Sequence, residues 1–126
     1  MVGARMVVAT PEGYEPKIKT SAELVRRPED AARDADVLVT DSWVSIGREA
    51  EKEKRLKVFK PYQLNSRLIS LAKKDCMVLH CLPAQRGYEI TSEVLDSPQS
   101  RVFQEAENRL HTEKALLLKL LKDKIF

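Results

Sequence analysis

The chain has 126 residues and carries 22 basic against 19 acidic side chains, a net charge of +3, with 43% hydrophobic and 33% charged residues. This is one domain's worth of chain with enough apolar content for a core, which excludes a disordered, collagen-like or low-complexity segment. The charge is too small and too mixed for a nucleic-acid-binding face, no apolar run approaches the roughly 18 residues of a membrane helix, and the first residues lack the ordered parts of a signal peptide.

Met6–Ala9 is a short β-rich run closed by the turn residues Pro11-Glu12-Gly13. Gly13 to Thr20 is a polar connection, and Glu23–Val25 reads as a short strand. Pro28 with Glu29 and Asp30 opens a helix to about Ala35, since Pro suits the first helical position and acids suit the positive helix end. Val37–Thr40 is nearly all apolar, the pattern of a strand covered on both faces. Helices are predicted over Arg48–Phe59 and Gln63–Lys73, and Met77–Leu79 is the next strand. Thr91 caps a short helix, and Val102-Phe103 leads into a long one with Ala106, Leu110, Leu117 and Leu121 on one face. Strands alternating with helices predict an α/β, Rossmann-like parallel sheet flanked by helices. Three or four strands make a thin sheet, so the pattern reads as an incomplete one.

Cys76 and Cys81 would lie about 16 Å apart on one strand, against the 4.4–6.8 Å or so of a disulfide, so both are expected as free thiols of a reducing, cytoplasmic protein. No Cys/His spacing forms a zinc site. Sites on parallel sheets gather beyond the carboxyl ends of strands. Two polar clusters fall there, Asp41-Ser42-Trp43-Val44-Ser45 and His80-Cys81-Leu82-Pro83, and a third, Glu105-Ala106-Glu107-Asn108-Arg109, opens the last helix. Asp41 can hold an ammonium or cap a turn; Ser45 carries the same two options; Trp43 suits packing. Cys81 can be nucleophile, base, polar contact or inert core, and His80 points to the opposite strand face, against a Cys-His dyad. Arg109 sits near a helix start, where a cation makes sense facing an anion, or pairs with Glu105 or Glu113.

Asp41-Ser42-Trp43-Val44-Ser45-Ile46-Gly47, His80-Cys81-Leu82-Pro83-Ala84 and Glu105-Ala106-Glu107-Asn108-Arg109-Leu110-His111, in this order and spacing, closely resemble the ornithine carbamoyltransferase family. So do Val8–Pro16, Phe59–Gln63 and Ser97–Ser100, so the resemblance covers nearly the whole chain. It implies the carboxyl-terminal, ornithine-binding domain (residues 1–126, partial) of an enzyme that moves a carbamoyl group from carbamoyl phosphate to the side-chain amine of ornithine. The products are citrulline and phosphate, in arginine biosynthesis. It implies no metal or organic cofactor, and a trimer or a multiple of it. By motif match, Asp41, Ser45 and Ile46 would bind ornithine; Cys81, Leu82, Arg109 and His80 would bind carbamoyl phosphate; Cys81 and Arg109 would be catalytic.

Three departures qualify this. Ile46 stands where the family has Met, a helix usual between Pro16 and Glu23 is missing, and the first strand and the phosphate-binding Ser-Thr-Arg-Thr and His-Pro-x-Gln motifs are absent. The isolated chain is therefore expected to be inactive and prone to aggregate. The rival readings are a non-catalytic interaction module, a carbamoyltransferase for another amine such as putrescine or an acylated ornithine, and a nucleotide-binding domain. The last lacks its Gly-x-Gly-x-x-Gly turn.

Overall fold

A computed structural model of the chain describes residues 3–44 and 49–125. The elements run β1 (Val7–Ala9), β2 (Glu23–Val25), α1 (Pro28–Ala32), β3 (Val37–Thr40), α2 (Lys52–Phe59), α3 (Ser66–Ile69), β4 (Met77–His80), α4 (Ser92–Leu95) and α5 (Val102–Ile125). Single 3-10 turns, Glu49–Glu51 and Lys60–Tyr62, flank α2. Residues 15–22 contain neither helix nor strand, in keeping with the short polar connection.

The strands pair in parallel, as their alternation with helices requires, but they form two two-stranded sheets instead of one. In the first, β1 lies beside β2 with Val7 opposite Glu23. In the second, β3 lies beside β4 with Val37 opposite Met77 and Thr40 opposite His80. The segment before α5 extends the second sheet: Val78 donates its N–H to the Gln99 carbonyl at 2.9 Å and accepts from Arg101 N–H at 2.9 Å.

Strand periodicity decides what is buried. Leu38, Val78 and His80 face inward, and Val78 and His80 are wholly buried. Val37, Val39 and Met77 face outward, Val39 at 68% exposure. The expectation of a strand covered on both faces thus holds on one face only, because no described element packs over the other. The core joins Val78 to Ala32, Leu64, Leu68, Ile90, Val94, Leu95 and Val102.

The long helix predicted over Gln63–Lys73 is a single turn, Ser66–Ile69. Tertiary hydrogen bonds claim its intended ends. Leu64 is extended, donating to the Glu89 carbonyl and accepting from Thr91 N–H, and Asn65 then caps α3 by accepting from Leu68 N–H. Farther on, Lys73 N–H turns to the Ala35 carbonyl. α1 likewise stops at Ala32, short of Ala35: Asp34 takes a left-handed φ of 55° that a short polar side chain tolerates, and sends its N–H to the Leu71 carbonyl.

α5 starts at Val102, which is buried, and from Leu110 its leucines are mostly exposed. The accessible surface is 9751 Å², whereas a compact monomer of this mass has about 6,800 Å². The outer half of α5 and the open face of β3–β4 contribute to this excess. No described helix is long and apolar enough to cross a membrane.

Candidate functional site at the ends of two parallel strands

Because β3 and β4 run parallel with Thr40 opposite His80, the chain leaves both strands at the same level. Asp41 and Cys81 therefore emerge side by side, and the Cys81 thiol donates to Asp41 Oδ1 at 3.3 Å. The same oxygen accepts the Ser42 N–H at 2.7 Å, and the Ser42 hydroxyl donates to the Pro83 carbonyl at 3.2 Å. Two clusters forty residues apart in sequence form one surface. Cys76 and Cys81 are both free.

The hydrogen bond to Asp41 raises the Cys81 thiol above its ordinary pKa; burial and the negative charges of Asp41 and Glu105 add to it. An acid whose pKa is raised holds its proton to higher pH, so at neutral pH Cys81 is a thiol donor and not a thiolate nucleophile. Alkylation of Cys81 by iodoacetamide, followed by peptide mass spectrometry, is expected to run slower than that of free cysteine at pH 8 and to reach half its maximum at a higher pH. Equal or faster reaction would contradict the contact with Asp41.

His80 lies on the other strand face, fully buried. Its Nδ1 accepts the Leu82 N–H at 3.0 Å and its Nε2 lies 3.0 Å from Glu89 Oε1. An Nδ1 that accepts carries no proton, so Nε2 bears it and donates to Glu89. Both ring nitrogens of His80 are thus engaged behind the loop, and the side chain turns neither to the surface. His80 and Cys81 have separate partners and form no dyad. Asp41, His80 and Cys81 bring ligand atoms within 4.8 Å of one another, but a cation held by all three would have to displace one of the ring's two bonds.

Facing this loop is the start of α5. Cys81–Ala84 and Arg86 form one wall of an open groove of about 720 Å³, and Phe103, Ala106, Arg109 and Leu110 form the other. Arg109 is about two-thirds exposed, its Nε 3.9 Å from Glu113 Oε1. Such a loose surface pair leaves the guanidinium free to turn to an anion. Glu105 Oε2 is enclosed and has no hydrogen-bond partner among the described residues. Leu82 has a φ of 55° and precedes a cis peptide bond to Pro83. Trp43 is a packing residue: it is buried and stacks on Phe59 at 6.1 Å, and Phe59 also meets Tyr14 and Tyr62. Ser45 and Ile46 lie outside the described residues.

Sequence reasoning missed Glu89. It stands in an apparently polar loop beside Ile90, and the only available signal was that a buried histidine needs a partner.

Comparison with known proteins places the whole chain. The family described as "Aspartate/ornithine carbamoyltransferase, Asp/Orn binding domain" matches residues 1–120. The ornithine carbamoyltransferase of Archaeoglobus fulgidus is 51% identical over 130 residues, covering 96% of this chain and 42% of that protein. The structure of the Pyrococcus furiosus ornithine carbamoyltransferase superposes with a TM-score of 0.84 at 52% identity, over 91% of this chain and 41% of that one. An acetylornithine transcarbamylase complexed with acetylcitrulline is more distant, with a TM-score of 0.65 at 32% identity over 77% of this chain and 30% of that one. The chain spans about four-tenths of the length of the first two.

Proposed function

The chain belongs to the aspartate/ornithine carbamoyltransferase family, matching its Asp/Orn binding domain, and from that premise we propose that it is the ornithine-binding part of an enzyme that makes citrulline from ornithine and carbamoyl phosphate. The observation that carries the reading is the placement of Asp41 beside Cys81 at the strand ends, with Arg109 across the groove that Cys81 lines.

In this reading Asp41 holds the α-ammonium of ornithine by a charge-assisted hydrogen bond, with Ser45 and Ile46 completing the amino-acid end. Cys81 stands at the reacting amine. Being protonated, it orients that amine and does not act as a thiolate base. The amine attacks as the free base, and negative charge grows on the carbonyl oxygen, where Arg109 stabilises it. The Leu82 backbone completes the carbamoyl phosphate side. The phosphate end needs further cationic ligands, so the 126-residue chain alone should form citrulline no faster than background. Free thiols suit the cytoplasm, and the family resemblance supports a role in arginine biosynthesis and a trimer or multiple of it.

Titrating the ¹⁵N-labelled chain with L-ornithine should shift the amides of Asp41–Val44 and Cys81–Ala84, whereas putrescine, without an α-amino acid end, should leave Asp41 unmoved. Equal responses would favour another amine, and no response to ornithine by a folded chain would overturn the reading in favour of an interaction module. Greater similarity to the ornithine enzymes than to the acetylornithine enzyme favours free ornithine over an acylated form.

A further inference from the structure

Behind the groove-facing loop is a buried polar pair that the reaction scheme does not use. His80 is wholly buried and Glu89 is 1% exposed. Each holds one backbone amide of the loop: Leu82 N–H donates to His80 Nδ1 at 3.0 Å, and Gln85 N–H donates to Glu89 Oε1 at 2.5 Å. The His80 Nε2 to Glu89 Oε1 bond, 3.0 Å, joins the two. The far end is itself fastened to the core. The Glu89 carbonyl accepts Leu64 N–H at 2.8 Å, and Gly87 N–H closes onto the Ile90 carbonyl at 2.8 Å.

Leu82, which carries the first of the two held amides, has a φ of 55°, a left-handed conformation that a leucine adopts only when its surroundings impose it. An apolar pair of the same volume would fill the space at least as favourably as a buried polar pair. It could not hold the Leu82 and Gln85 amides, and so could not dictate how the residues between them face the groove.

We propose that His80 and Glu89 are positioning residues, a buried strut that sets the backbone of Cys81–Ala84 and thereby where the Cys81 thiol and the Leu82 backbone meet the substrates. This rests on the reading that the groove holds those substrates. The strut itself can be tested without them.

The first measurement is a long-range ¹H–¹⁵N spectrum of the wild-type chain, expected to show His80 with a bare Nδ1 and a protonated Nε2. The second is the pH profile of Cys81 alkylation, resolved from Cys76 by peptide mass spectrometry. The charged groups around that thiol are Asp41 on the neighbouring loop and Glu105 on α5, with Arg86, Arg109 and Glu113 lining the groove. Glu89→Met removes the acceptor while keeping bulk. The loop should then relax, the thiol should leave Asp41, and alkylation at pH 8 should rise by about threefold or more as the profile moves down. Glu89→Gln retains an oxygen for both donors and should restore the wild-type profile. A residue serving stability alone would lower the melting temperature and leave the profile of the folded protein in place.

A wild-type profile in folded Glu89→Met, an equal shift in Glu89→Gln, or a protonated His80 Nδ1 would each overturn the proposal. If Glu89→Met does not fold, His80→Asn, whose amide oxygen can still accept from Leu82 N–H, replaces it and should give a smaller shift of the same sign. An unshifted profile would again overturn the proposal. With L-ornithine as probe, Glu89→Met should also bind about tenfold more weakly than Glu89→Gln. If the wild-type chain does not bind ornithine, the functional reading fails while the thiol profile still decides the strut.

Discussion

Ile90→Ala is expected to destabilise the chain by about 2–5 kcal/mol, the range for removing a large aliphatic side chain from a packed core. Ile90 has no exposed surface and belongs to the core cluster around Val78. It also bridges to Leu64 and to Arg86, so a cavity there loosens the return of the site loop as well as the core. A small domain has only about 5–15 kcal/mol of net stability, so the loss should move the urea midpoint, followed by circular dichroism, by a large fraction of its value. Leu117→Ala is the control. Leu117 is as apolar but exposed on α5, and its change should stay within about 0.5 kcal/mol. Similar midpoints for the two variants would refute the placement of the core.

Asp41→Asn is expected to weaken L-ornithine binding about 10- to 100-fold, the consequence of losing a charge-assisted hydrogen bond of about 1.5–3 kcal/mol. Asparagine keeps the shape and an oxygen for the Ser42 N–H, so the loop should persist. The same substitution should have the opposite effect on the thiol. Asp41 is the main cause of the raised Cys81 pKa; without its charge the pKa falls, more thiolate is present at pH 8, and alkylation accelerates. Weaker binding together with faster alkylation separates a lost charge from a collapsed site, which would broaden the amide spectrum throughout. Ornithine affinity unchanged in Asp41→Asn would remove Asp41 from the site.

Much of the secondary structure was legible because its causes are local. Pro28 with its following acids starts α1, Thr91 caps α4 by accepting from Val94 N–H, and Val102 opens α5. The short β-branched runs became strands within a residue of their expected bounds. Gln63–Lys73 failed for a non-local reason: its apolar stripe suits a helix, but Leu64 earns a better set of partners from Glu89 and Thr91. No window of residues around Leu64 contains that information.

The site divides along the same line. Asp41, Cys81 and Arg109 were legible as residue types at strand ends and a helix start. Their division of labour was not. Consecutive residues His80 and Cys81 point to opposite faces by strand geometry alone, yet which face is buried depends on what packs there. The core side took His80 and gave it Glu89, a residue that no local pattern marks; the groove side took Cys81 and gave it Asp41.

By itself, then, the sequence determined most of the order and type of the elements, and the family, because propensities, caps and motifs act over a few residues. Only the tertiary structure decided that the four strands make two sheets and that Asp41 and Cys81 meet across forty residues. It also decided that His80 is buried, with its ring between the Leu82 N–H and Glu89. The physical reason is that strand register, burial and hydrogen-bond partnership are settled between segments distant in the chain, when they pack against a shared core.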